Sequence, residues 1–282
     1  MPWKQFAGYA ALAAAALLLT VVVTSLVVRQ PHLEEPKHDD ARLFCGVSMR
    51  APMQELVTTF QRDTGMYVRP VYGPSDQLLE HLTVDLEAAD LYLPGETSYL
   101  EQVETLGLVE RSESVAWLVP AILVQPGNPH DIAELADLTR PGLRLAVADA
   151  RVPARGCRTR ALGGVMPLLW ERHGLASEEI EPNVILTATT GHELGSAVQL
   201  GRVDAAVVWD VVALRYPPAE VVAIPENRNV GVPVRVGLLA HARENTVAAA
   251  FVDFLGSAVA REILRAHHYS LDFSLNKGEA DR

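Results

Sequence analysis

Along most of this chain a short β-prone run passes through Gly, Ser or Pro into an amphipathic helical run, and then the pattern starts again. Residues 42–45 read as a strand, and 52–64 carry Met53, Leu56, Val57 and Phe60 on one helical face before stopping at Gly65. Residues 66–72 (MYVRPVY) are rich in β-branched and aromatic side chains, and Gly73-Pro74-Ser75-Asp76 then opens a helix bearing Leu78, Leu79 and Leu82. The alternation continues with strands at 89–93, 143–147, 184–186, 205–209, 221–224 and 234–240. Helices are predicted at 99–105, 132–138, 155–170, 194–200, 246–257 and 258–267, and 115–124 (VAWLVPAILV) is an apolar run containing Pro120. Strands alternating with helices at this spacing predict an α/β fold with largely parallel sheets. The folded part is longer than a typical single domain, so two lobes are expected.

Residues 6–28 (FAGYAALAAAALLLTVVVTSLVV) hold no charge and lie between Lys4 and Arg29, a length that spans a bilayer as a helix. The run lacks an Ala-x-Ala end, although Val23-Thr24-Ser25 offers small residues. Residues 1–29 therefore read as a signal anchor or a signal peptide, with the uncleaved anchor preferred. Lys4 ahead of the run places the amino terminus in the cytoplasm and the remainder outside, in the periplasm or its equivalent. Residues 30–40 (QPHLEEPKHDD) are polar and without apolar periodicity, as a linker is. A net charge of −11 and the lack of a long basic run argue against a nucleic-acid partner, because binding phosphate backbones needs a basic face.

A strand that ends in Gly or Ser and turns at once into a helix aims unpaired N–H groups, and the positive end of the helix dipole, at one point. A compact anion can be held there without a full counter-charge. The candidates are Ser48, Ser75 and the Pro153-Ala154-Arg155-Gly156 turn. In open α/β sheets such turns gather at the carboxyl ends of the strands, where ligands sit. Each serine taken alone suits an ordinary helix cap equally well.

The run LFCGVSMRAPMQELVTTFQRDTGMYVRPVYGPSDQLLEHL, followed by ADLYLPGETSYLEQVETLGLV, resembles the molybdate- and tungstate-binding periplasmic solute-binding proteins of ABC importers. LRLAVADARVPARGCRTRAL, VDAAVVWDVVA and FVDFLGSAVAREILRAHHYSL fit the same family, so the resemblance covers nearly all of 41–273. It implies a type II periplasmic-binding-protein fold, with two α/β lobes joined by two hinge crossovers near 114–117 and 233–236. The first lobe would comprise 41–116 and 234–275, the second 117–233, and 276–282 would be a tail. It also implies a tetrahedral oxyanion bound between the lobes, with Ser48 and Ser75 donating from the first and the Ala154 turn from the second. No cofactor follows from the resemblance. The implied partners are the permease and ATPase subunits of an importer, and the binding protein itself would be a monomer.

The tyrosine that typically donates from the second lobe is replaced by Trp209, followed by Asp210, whose charge would repel a dianion unless it faces away. Arg50, Arg155, Arg158 and Arg160 could supply positive field, whereas Glu96 and Glu193 sit in or near segments that the resemblance places along the cleft. Some relatives complete coordination of the oxyanion's metal with a carboxylate, and Glu193 or Asp210 could do so here. Carboxylates beside serines also suit a hard cation such as ferric iron, although Tyr72, Tyr92 and Tyr99 read more simply as packing residues. His192, His267 and His268 lack metal-ligand spacing and read as surface or packing residues. Cys157, beside Gly156, Arg155 and Arg158, suggests a thiol enzyme, but no base is placed for it and no hydrolase or phosphate-loop motif is present. Cys45 and Cys157 fall by the resemblance on opposite lobes, where a disulfide would lock the cleft, so free thiols are expected.

Overall fold

The protein is described from a computed structural model, over residues 40–149, 162–188 and 190–273. The first half of the chain runs β1 (Asp40–Gly46), a single 3-10 turn (Val47–Met49), α1 (Arg50–Thr64), β2 (Tyr67–Gly73), α2 (Ser75–Val84), β3 (Leu91–Leu93), α3 (Thr97–Thr105), β4 (Val109–Leu118) and β5 (Pro120–Val124). It continues through β6 (Leu145–Ala148), α4 (Leu162–Arg172), α5 (Ser177–Ile180), β7 (Val184–Ala188), α6 (Gly191–Gln199), β8 (Ala205–Trp209), α7 (Asp210–Ala213) and β9 (Glu220–Ala223). The chain then returns through β10 (Val232–Leu239), α8 (Thr246–Leu255) and α9 (Ala258–Ala266).

Two five-stranded sheets result, in the orders β2-β1-β3-β10-β4 and β7-β6-β8-β5-β9. Neither is largely parallel. In the first, β2, β1 and β3 run parallel while β10 is antiparallel to both β3 and β4. The second repeats the layout, with β7, β6 and β8 parallel and β5 antiparallel to β8 and β9. The cause is topological: one strand leaves each lobe and another returns to it, and two crossing strands that travel side by side in opposite senses pair antiparallel.

Where the chain changes sheet depends on pairing rather than on apolarity. The run 115–124 divides at Val119, with Leu118 paired to Val232 in the first sheet and Pro120 opposite Trp209 in the second. The return crossing lies between β9 and β10. The crossings therefore fall at 119 and 224–231, a few residues from those the resemblance implies, because β4 and β10 stay paired through the Leu118 position. The carboxy-terminal stretch closes over this region: Trp117 N donates to Ser270 O at 2.7 Å, and Trp117 and Phe273 rings stand 5.8 Å apart.

Helix ends follow local chemistry. Gly65 closes α1 in the left-handed region (φ 73°), where a Cβ would be strained. The helix expected at 132–138 is instead a 3-10 turn at Leu135–Thr139, because the Asp137 carboxylate accepts from Ala133 N (2.7 Å) and Glu134 N (3.0 Å) and wraps the segment tightly. Phe60 of α1 packs edge-on against Phe251 of α8 (5.1 Å), which joins the returning helices to the first lobe's core. The apolar run 6–28 lies outside the described residues. Among the described residues no helix is long and apolar enough to cross a membrane.

Candidate functional site

The turns after β1 and β3 touch through their backbones. A Cβ placed on Gly46 would lie 2.4 Å from Gly95 N, a backbone atom, so Gly46 does not tolerate a side chain. A Cβ on Gly95 would in turn lie 2.6 Å from Ser48 Oγ and 3.7 Å from Ser75 Oγ. Gly95 thus sits between the two serine hydroxyls. Its N–H donates to Ser75 Oγ at 3.0 Å, which leaves the Ser75 hydrogen available for another acceptor. Neither serine caps a helix: α1 is preceded by Met49, α2 by Pro74, and neither start has a side-chain cap hydrogen bond.

These turns open on a cavity of about 260 Å³. Ser48, Ser75, Gly95, Glu96 and Tyr99 line it from the first lobe; Ala148, Asp149, Thr190, Gly191, His192, Trp209 and Arg215 line it from the second, and Tyr269 from the carboxy-terminal stretch. Trp209, at the end of β8, is nearly buried in its wall. Of the weaker candidates, three are turned elsewhere. Arg50 stacks its guanidinium over the Tyr72 ring at 4.6 Å and is absent from the lining. Glu193 accepts from Thr190 N at 3.2 Å while its own N–H donates to Thr190 Oγ, a reciprocal cap that starts α6. Asp210 accepts from Val211 N (2.8 Å), Val119 N (3.3 Å) and Ser270 Oγ (3.1 Å), so its carboxylate binds the crossing, not the cleft. Ala154, Arg155 and Cys157 lie outside the described residues. Cys45 is a free, fully buried thiol whose pKa is pushed well above the ordinary range by burial, against the pull of Arg50. A group held as the neutral thiol is no nucleophile.

Residues that no motif announces complete the cavity. Arg215 Nη2 donates to Ser48 O at 3.1 Å and the Tyr269 hydroxyl donates to the same oxygen at 3.3 Å, so three distant segments meet at one carbonyl. Arg215 follows a helix of four residues and carries no sequence signature. Thr190-Gly191, by contrast, follows β7 in the same strand–turn–helix pattern that singles out Ser75, so its signal is present in the sequence. His192 Nδ1 stands 2.8 Å from the Tyr216 hydroxyl, and burial, helped by the Arg215 charge, holds its pKa below the ordinary value. Burial pushes the Glu96 carboxyl up to about 7. Among the described residues no cluster of three or more His, Cys, Asp or Glu side chains is arranged to hold a metal ion.

A family model described as bacterial extracellular solute-binding protein matches residues 41–270. The chain belongs to that family. It is accordingly a binding protein that works outside the cytoplasm, and not an enzyme. Its relatives include the molybdate-binding protein ModA of Mycobacterium bovis, 26% identical over 225 residues, which are 79% of this chain and 81% of that one. Among solved structures, L-phospholactate-bound PEB3, a Campylobacter jejuni protein, superposes with a TM-score of 0.67 at 20% identity, covering 82% of this chain and 99% of that one. Iron-bound HitA from Pseudomonas aeruginosa superposes with a TM-score of 0.64 at 16% identity, covering 86% and 90%. At these identities the structures establish the two-lobed α/β fold.

Proposed function

We propose that this solute-binding protein captures a molybdate- or tungstate-like oxyanion in the cleft and delivers it to the permease and ATPase subunits of an ABC importer, as a monomer tethered by residues 6–28. The observation that carries this reading is the pair of serine hydroxyls facing Gly95, neither of them spent on a helix cap. A dianion leaves water only where many donors replace its hydration, and charge-assisted hydrogen bonds are the stronger kind. Ser48 and Ser75 hydroxyls supply two such donors, and the Trp209 indole N–H and the α6 N-terminus at Gly191 can add to them from the facing wall. The turn bearing Ala154 and Arg155 is proposed to complete the shell. The names of the mycobacterial relative and of PEB3 support an oxyanion-bearing solute, and that of HitA supports iron.

Calorimetric titration of the full chain, stripped of ligand in detergent, with molybdate, tungstate, sulfate, L-phospholactate and ferric citrate tests this. Tight molybdate or tungstate binding beside a weak sulfate response is expected. Heat from ferric citrate alone would replace the reading with a cation binder, and a response confined to L-phospholactate would assign an organic phosphate.

A further inference from the structure

Glu96 is the acidic side chain on the first lobe's wall of the cavity, adjacent in sequence to the Gly95 that separates the serine hydroxyls. It occupies the position just before α3, where a carboxylate ordinarily accepts from the first turn, yet it makes no side-chain cap bond there. Among the described residues it has neither a hydrogen-bond partner nor an ion pair. The titratable groups around it are Tyr99 on the same helix, Asp76 on α2, Tyr269 from the carboxy-terminal stretch, and Asp149, His192 and Arg215 on the opposite wall. Arg215 is bonded to Ser48 O, and burial, with the Arg215 charge, holds the His192 pKa below its ordinary value. An ionised Glu96 beside an oxyanion dianion would set two like charges in one partly desolvated cavity.

We propose that Glu96 enters the ligand complex as a neutral carboxylic acid whose O–H donates to the anion, so that at alkaline pH, where the free carboxyl is ionised, capture of each oxyanion takes up one proton from solvent. The inference rests on the oxyanion reading of the cleft. Burial alone brings the empty-site carboxyl up to about 7, so the proton is available near neutrality, and a bound dianion raises its affinity further. The carboxyl then selects as well: it offers a hydrogen to an anion's oxygen and rejects, by desolvation, a ligand with no acceptor there.

The test is calorimetry of the full chain with molybdate between pH 6.5 and 8.5. Affinity should be flat below about pH 7 and fall above it, approaching tenfold per pH unit. At pH 8 the heat measured in Tris and in HEPES should differ by the ionisation of about one proton. Glu96→Gln keeps a neutral donor at the position. This variant should bind within about threefold of the parent at pH 6.5 and lose both the pH slope and the buffer dependence. Molybdate binding in the parent with a flat profile and buffer-independent heat overturns the inference and leaves the oxyanion reading intact, as does a Glu96→Gln variant that keeps the slope. Affinity that rises with pH also overturns it, since Glu96 would then act ionised. If no oxyanion gives heat at any pH, the oxyanion reading fails and this inference with it.

Discussion

At Gly95 the missing side chain makes room for the cradle, because the space a methyl group would fill is bounded by Ser48 Oγ at 2.6 Å. Gly95→Ala should therefore weaken molybdate binding at least tenfold while moving the ligand-free melting temperature by less than about 2 °C, since the obstructing atom is a hydroxyl and not packed core. A variant that unfolds would show that the two turns cannot separate. Ser48→Ala removes a donor that no helix needs. Loss of one hydrogen bond to a charged group, about 1.5–3 kcal/mol, predicts roughly 10- to 150-fold weaker binding at nearly unchanged stability. A sharp drop in melting temperature with affinity retained would return Ser48 to a structural role. Both serines are legible in the sequence because a strand, a small residue and a helix follow one another locally. Arg215 and Tyr269 are not, because their contact with Ser48 joins positions 167 and 221 residues apart in the chain.

Among the elements, strands and helices fall close to where period and turn residues put them, and misreadings occur where pairing or a side chain intervenes. The antiparallel strands β5 and β10 look like any other apolar strand, since direction is a property of the partner. In the second sheet Asp204 ties the start of β8 to its neighbours: its carboxylate accepts from Arg144 N (2.8 Å), Arg144 Nη2 (2.6 Å) and, at 3.4 Å, Gln125 Nε2. Burial pushes its pKa up, but hydrogen bonds from the Arg144 side chain and backbone, with the charges of Arg144 and His130, outweigh that and hold it below the usual carboxylate range. A folded value below the unfolded one, near 3.9, means that this stabilisation is present above about pH 4 and is lost as pH falls through the folded value. Asp204→Ala should cost about 1–3 kcal/mol in urea unfolding at pH 7, discounted because Arg144 is half exposed, and should flatten the acid limb of the stability profile. An unchanged acid limb would show that the clamp contributes nothing.

For the whole molecule, the cavity is walled by segments of both sheets, so a ligand there stabilises the folded chain by mass action. At one hundred times its dissociation constant the gain is about 2.7 kcal/mol, and molybdate should raise the melting temperature by several degrees where sulfate does not. No shift at saturating molybdate, followed by differential scanning calorimetry, would contradict binding in the cleft. What the sequence by itself determined is most of the strand–helix alternation, the α/β class and the two serine turns, because backbone propensity, apolar period and turn chemistry act over a few residues. Tertiary structure alone decided where the chain changes sheet, that Asp210 serves the crossing and Glu193 a helix cap, and that His192 and Arg215 share one cavity with those serines. These depend on contacts between distant segments, and a side chain's burial, partners and proton affinity exist only once those contacts have formed.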